Sequence, residues 1–287
     1  MDPRPPAGAP RVPGYTVERP LGAGPYASVW AAVSEHSGGR VALKVLRGAA
    51  SASAIRREAS LLAAVDHPHV MRVVELVETD GVLVLVFPLA EGGSLGDLVR
   101  VRGALEPGEV VTACAPIAQA LDSVHRRGLV HGDVTPSNIL LTAEGLPLLA
   151  DLGVARLAGP RSAEVGLVHG LTAPEVLGGA EPEPAADVYG LAAVAVLALT
   201  GRPPGRPVTL PGIAPATAGA IGRCLDPEPG RRPAASTLAS ALFAMAEPEA
   251  IGLVAAGGTP SAATDASGPA PAPPRRAHAG AHRSRHR

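Results

Sequence analysis

The sequence predicts an α+β fold in two lobes, a small β-rich half followed by a larger helical half, and three observations predict it. Short β-branched and apolar runs separated by turn residues fill positions 15–87. A long helical pattern covers Pro107–Arg127 and stops at Gly128, with Arg126 and Arg127 in its last turn, where cations suit the helix dipole. A second run, Ala185–Thr200, is almost wholly apolar and reads as a core helix. A cleft between two such halves is a common place for a ligand.

The remaining elements follow in order. Tyr15–Leu21 and Ala27–Val33 are expected as strands flanking a Gly-rich turn, and Val41–Leu46 as a third strand. Ala52–Val65 has helical spacing, with Ile55, Leu61, Leu62 and Val65 on one face. Val70–Glu75 and Val82–Phe87 read as two further strands joined at Asp80–Gly81. Beyond Pro88, Ser94–Arg102 opens with a good N-cap and reads as a helix. Ala216–Leu225 and Ala234–Ala246 complete the helical half.

Composition narrows the class. The chain has 287 residues, 46% of them hydrophobic, with one Trp, three Tyr and two Phe, so its core must be built from Ala, Val and Leu. A formal net charge of −1 gives no global field favouring nucleic acid or an anionic membrane. Cys114 and Cys224 lie far apart in helical patterns, as expected of two buried thiols in a reducing cytosol. The apolar run Val188–Thr200 is too short to span a bilayer, and Met1–Pro13 lacks the apolar segment of a signal peptide, so a cytoplasmic location is expected. Many of the 31 prolines cluster at the two ends. Residues 1–13 are therefore expected as a disordered leader, 14–246 as one folded domain, and 247–287 as a disordered Ala/Pro-rich tail. The basic stretch 275–287 reads as solvated.

Three constellations carry chemistry. In Leu21-Gly-Ala-Gly-Pro-Tyr-Ala-Ser-Val29, glycines between two strands let backbone N–H groups approach phosphate oxygens. In Val41-Ala-Leu-Lys44-Val-Leu, a lysine in an apolar strand is costly to bury unless paired, and Glu58 on the following helix is the expected partner. In His131-Gly-Asp133-Val-Thr-Pro-Ser-Asn138, followed by Asp151-Leu-Gly153, Asp133 can accept a proton while Asn138 and Asp151 are oxygen ligands suited to Mg²⁺. His67, His69 and His125 read as loop-capping and packing residues.

Together these residues resemble the protein-kinase signature set. Three further segments continue the resemblance in order: Ala173-Pro174-Glu175, Asp187-Val-Tyr-Gly190 and Arg232-Pro233. The likeness covers about residues 15–246 and is closest to the Ser/Thr kinase catalytic domains of bacteria. It implies a two-lobed kinase fold with a small lobe at 14–87, a hinge at 88–91 and a large lobe at 92–246. It implies ATP and Mg²⁺ as cofactors and a protein substrate as partner, with neither nucleic acid nor a membrane span. Lys44, paired with Glu58, would hold the α- and β-phosphates, Asp133 would be the base, and Asn138 and Asp151 would hold Mg²⁺. Leu21, Gly22, Gly24, Val29, Ala42, Phe87, Leu89 and Ala90 would surround the nucleotide, Phe87 as gatekeeper. Pro88 has no N–H, so adenine would meet its carbonyl together with Leu89 and Ala90. Leu62, His131 and Leu152 would join an apolar stack linking the lobes, Glu175 and Arg232 would form a buried ion pair, and Asp187 would anchor the catalytic loop.

The chain also departs from that pattern. Ala27 replaces the loop's third glycine, and Leu152 the phenylalanine after the metal-binding Asp. Gly132 stands where an arginine usually precedes the catalytic Asp, and between Asp151 and Glu175 the only hydroxyls are Ser162 and Thr172. The two absences agree, so activation by loop phosphorylation is not expected. Thr135 replaces a lysine that steadies the transferring phosphate. That loss keeps a second reading open, a pseudokinase acting as a nucleotide-binding module. A third, a small-molecule phosphotransferase of aminoglycoside-kinase type, shares His131-Gly-Asp133 but not the later motifs.

Overall fold

The computed structural model of the chain describes residues 8–24, 27–46, 65–79, 81–152, 170–205 and 207–254. The expected helix at 52–65, apart from Val65, and with it Glu58 and Leu62, lies outside the described residues.

The small lobe is an antiparallel sheet of β1 (Tyr15–Ala23), β2 (Ala27–Ser34), β3 (Arg40–Leu46), β4 (Glu75–Thr79) and β5 (Val82–Pro88), in the order β1-β2-β3-β5-β4. Period-two alternation in β3 sends Val41, Leu43 and Val45 to one face and Ala42, Lys44 and Leu46 to the other. The first face closes a small core with Val12, Trp30, Ala32, Val84 and Val86. The second packs toward the large lobe, where Phe87 and Leu85 join Val65, Val70, Ala120, Val124 and Leu152.

One strand is displaced from its expected place. The predicted strand Val70–Glu75 is instead β4 at Glu75–Thr79. Residues 69–71 spend their backbone groups on the large lobe: Met71 N–H donates to Leu149 O at 2.9 Å, and Leu149 N–H to His69 O at 2.8 Å. An apolar β-branched run cannot be assigned to one sheet or another from its own residues.

The large lobe contains α1 (Leu95–Arg102), α2 (Pro107–His125), the hairpin β6 (Ile139–Leu141) and β7 (Pro147–Leu149), α3 (Pro174–Leu177), α4 (Pro184–Thr200), α5 (Pro215–Cys224) and α6 (Ala235–Phe243). Ser94 caps α1 by a reciprocal capping box with Asp97, as its position predicts. Helix α4 is buried from Ala186 to Val196, and small residues such as Ala113, Ala118, Ala192 and Ala195 let α2 and α4 approach closely in a core without Phe or Trp. Burial pushes the Cys114 thiol up to about 12, so both sulfurs behave as packing atoms. Among the described residues no helix is long and apolar enough to cross a membrane.

The described residues next to the domain on either side, 8–13 and 247–254, pack against it. Val12 is 5% exposed and belongs to the small-lobe core. At the other end, α6 stops at Phe243, but the chain from 247 to 254 packs on α2, with Ile251 buried in the main core. Ala/Pro/Gly-rich composition signals low intrinsic order, and here four specific backbone anchors, described below, override it.

Candidate active site

The loop carrying Asp133 is suspended from a buried carboxylate. Asp187, on the first turn of α4 and 1% exposed, accepts the His131 N–H at 2.8 Å through Oδ2 and the Gly132 N–H at 2.6 Å through Oδ1. His125 Nε2 lies 2.8 Å from the same Oδ2. His125 therefore does more than pack, which its sequence context alone did not reveal; an imidazole in the last turn of a helix ahead of such a loop is the available signal. His131 Nδ1 accepts the Asp133 N–H at 3.1 Å, so the ring's proton sits on Nε2, which donates to Ala150 O at 2.7 Å. The ring thus ties the Asp133 loop to the residue preceding Asp151. Gly132 takes φ of 76°, a region an arginine would occupy only under strain.

Asp133 presents an exposed carboxylate. Asn138, in the short 3₁₀ turn Pro136–Asn138, donates its amide N–H to Asp133 O at 2.8 Å and to Asp133 Oδ2 at 3.2 Å. Both amide hydrogens face Asp133, so Asn138 Oδ1 is the oxygen turned to other partners.

Lys44 and Asp151 meet across the lobes, with Nζ 2.7 Å from Oδ1. The lysine side chain is 12% exposed, so its charge needs this partner. The anticipated pairing with Glu58 lies outside the described residues. Asp151 has φ of 63°, the one positive value outside glycine among the described residues. A left-handed aspartate costs about 1–3 kcal/mol, and such outliers concentrate at functional sites. The Asp151 carboxylate and the Asn138 amide oxygen are the kind of oxygen donors that suit a hard dication.

The β1–β2 turn closes through Gly24 N–H to Ala27 O at 2.8 Å; Pro25 and Tyr26 at its tip lie outside the described residues. Strand register aligns Gly22 with Val29, Val29 with Lys44, and Ala42 with Phe87. Leu21, Val29 and Ala42 are half-buried. Phe87 is buried in the cluster that also holds Leu152. At the hinge, the Leu89 N–H donates to Arg40 O at 3.3 Å. The Leu89 N–H is thus engaged within the protein, and no described residue accepts the Ala90 N–H.

Farther from the cleft, Arg232 grips Glu175 with two hydrogen bonds, at 2.6 and 2.7 Å, as expected. An open groove of about 580 Å³ beside α5, lined by Val208, Leu210, Ile213, Gly222 and Asp226 among others, contains none of the residues discussed above.

The description "Protein kinase domain" matches residues 15–209 of the chain. The chain is 34% identical to the serine/threonine-protein kinase PkaA of Streptomyces coelicolor over 274 residues, which is 81% of this chain and 50% of that protein. It is 44% identical to the serine/threonine-protein kinase PknK of Mycobacterium tuberculosis over 140 residues, 47% of this chain and 13% of that one. It is 34% identical to the serine/threonine-protein kinase pkn2 of Myxococcus xanthus over 205 residues, 66% of this chain and 25% of that one. The chain thus spans half or less of the length of these relatives.

Proposed function

The chain belongs to the protein kinase family, and on that premise we propose that it is an ATP-dependent Ser/Thr protein kinase acting on a cytoplasmic protein substrate. The observation that carries the reading is a pair of closed contacts, Asn138 on Asp133 at 2.8 and 3.2 Å and Lys44 on Asp151 at 2.7 Å, with the Ala150 N–H on Asn138 O at 2.8 Å tying the residue before Asp151 to Asn138. Asp133, exposed and held by Asn138 and by the His131–Asp187 scaffold, accepts the proton of the substrate hydroxyl. Lys44 holds the phosphates of ATP from the small lobe; Glu58, its partner expected from sequence, lies outside the described residues. Asn138 and Asp151 would hold Mg²⁺, which neutralises phosphate charge when bound. Leu21, Val29, Ala42 and Phe87 enclose the base, Gly22 and Gly24 cover the phosphates, and Ala90 with the Pro88 carbonyl meets the purine edge.

The test is label transfer from ATP to a generic basic acceptor protein with Mg²⁺ present. Asp133→Asn should lower transfer by about 10²- to 10⁴-fold, the usual worth of a positioned base, while leaving ATP binding in place. Equal transfer by this variant would refute the role of Asp133.

Gly132 favours a finer proposal, that activity does not depend on activation-loop phosphorylation. With no arginine at 132 there is no cation beside Asp133 for a loop phosphate to engage. Ser162→Ala should retain full activity, and a strict requirement for phospho-Ser162 would sink this. The pseudokinase reading draws on Thr135, which brings no positive charge toward the transferred phosphate. Mg²⁺-dependent ATP binding that Lys44→Ala abolishes, without any label transfer by the unaltered chain, would favour it.

A further inference from the structure

The segment 247–254 leaves α6 and runs along the first turn of α2 to the two elements that carry the site. Its anchors are specific. Glu249 N–H donates to Gly108 O at 3.1 Å, and Thr112 Oγ1 donates to Glu249 O at 2.7 Å. Gly252 N–H donates to Glu109 Oε1 at 2.9 Å, and Arg102 Nη1 to Gly252 O at 3.2 Å. Arg102 and Glu109 are themselves joined by two hydrogen bonds, at 2.7 and 2.6 Å, with Glu109 5% exposed. Ile251 is buried and lies over Gly145, where an added Cβ would stand 3.7 Å from its own Cβ.

The two elements so held are not arbitrary. Arg102 ends α1, the helix that begins directly after the hinge. Gly92 N–H donates to Leu141 O at 2.9 Å, and Leu141 N–H to Gly93 O at 2.8 Å, so the hinge exit is stitched to β6. Gly145 sits in the turn of the β6–β7 hairpin, and that hairpin is the chain between Asn138 and Asp151. Ala150 N–H returns to Asn138 O at 2.8 Å across its open end. The strap therefore lies beside the closed end of a hairpin whose open end carries both metal-ligand candidates.

We propose that residues 247–254 form a strap that positions the nucleotide site, by holding the turn of the β6–β7 hairpin and the C-terminal end of α1, the helix that follows the hinge. The proposal rests on the ATP-dependent kinase reading for its functional half and on geometry alone for its mechanical half. It makes the strap a coupling element rather than a closing of the core alone, because besides its anchors on α2 it reaches the last residue of α1 and the turn of the β6–β7 hairpin.

Gly108 supplies the discriminating variant. A Cβ there would stand 2.5 Å from Glu249 Cγ and 2.7 Å from the Glu247 carbonyl oxygen, so alanine must displace the strap. Alanine is also the better helix former, so α2 itself is not weakened. Hydrogen exchange and Mg²⁺-dependent ATP binding are compared for the full chain and its Gly108→Ala variant. Amides of 139–150 and 92–97 should exchange about threefold to thirtyfold faster in the variant, and its affinity for Mg-ATP should fall by about threefold to tenfold. Arg102→Ala, which removes the second anchor, should reproduce both effects. Faster exchange at 247–254 with no change at 139–150 in either variant overturns the mechanical half, and so does uniform acceleration through the domain. Unaltered Mg-ATP affinity in both variants overturns the functional half. Absence of ATP binding by the parent chain defeats the kinase reading instead, and the exchange result still decides the strap.

Discussion

Arg232 commits its whole guanidinium to neighbours that no water replaces. Its side chain is fully buried, two nitrogens hold Glu175 at 2.6 and 2.7 Å, Nε donates to Asp226 O at 2.7 Å, and the group lies 4.9 Å above the Tyr189 ring. Removing the arginine leaves a partly buried carboxylate and three backbone carbonyls without their donor, since Ala185 O and Pro227 O also bond to it. Arg232→Ala should cost about 3–5 kcal/mol, measured by urea unfolding, because an unpaired buried partner is dearer than the pair is favourable. Arg232→Lys should recover little of this, since an ammonium cannot form the two parallel bonds. Burial pushes the Glu175 carboxyl up most, and the Arg232 hydrogen bonds, a backbone hydrogen bond and the arginine's charge together outweigh it, so the net shift is downward from 4.5. A lowered carboxylate stabilises the fold above its unfolded value and ceases to do so as pH falls through the folded one. Arg232→Ala should therefore differ most from the parent near neutrality and less in acid. The Glu175–Arg232 pair and the Asp187 anchor of the loop were legible in the sequence, because each belongs to a motif that fixes residue types at a fixed spacing. His125 was not, because its partner lies 62 residues away and its place in the last turn of its helix was the one local signal of it.

At the scale of elements, the strap's latch is a carboxylate titration. Two Arg102 hydrogen bonds lower the Glu109 carboxyl most, burial opposes them, and the Gly252 and Glu106 N–H groups add to the lowering, leaving it at about 2 against 4.5. The sign follows as for Glu175: the latch contributes fully above about pH 4.5 and is lost as pH falls toward about 2. Glu109→Gln should cost about 1–3 kcal/mol near pH 6, as expected for loss of a charged buried bond, and the gap to the parent should narrow steadily below about pH 4.5. Urea unfolding of the two proteins across that range measures it. A constant gap would mean that the carboxylate's charge is not what holds the latch. Glu106 and Glu109 announce a helix start at their spacing of three, but not that the second of them also receives a chain returning 143 residues later. The same limit displaced β4. Helices α1, α2 and α4 could be read because capping residues and apolar periodicity are local. The partner of Val70–Val74, like the partner of 247–254, is set by tertiary pairing that no local pattern encodes.

At the scale of the molecule, the small lobe is poorly equipped to stand alone. Among the described residues its private core is eight buried side chains, of which Trp30 is the largest. A core of that size buries little surface. The cluster of Val65, Val70, Leu85, Phe87, Ala120, Val124 and Leu152 joins it to the large lobe, together with the Lys44–Asp151 pair and the bridge from Val70 to Leu149. Leu152 enters that cluster from the segment after Asp151 and is 5% exposed. Leu152→Ala should cost about 2–5 kcal/mol through the cavity it leaves. It should also split unfolding into two steps, because the cost falls on the joint between the lobes. The chain carries its own reporters for this. Trp30 is the single tryptophan and lies in the small lobe, while the helices that dominate far-ultraviolet dichroism lie in the large one. In the parent protein, fluorescence and dichroism should trace one coincident transition. In Leu152→Ala, fluorescence should change at lower urea than dichroism. Coincident but earlier curves would mean that the lobes remain one cooperative unit and that Leu152 contributes to stability without governing their union.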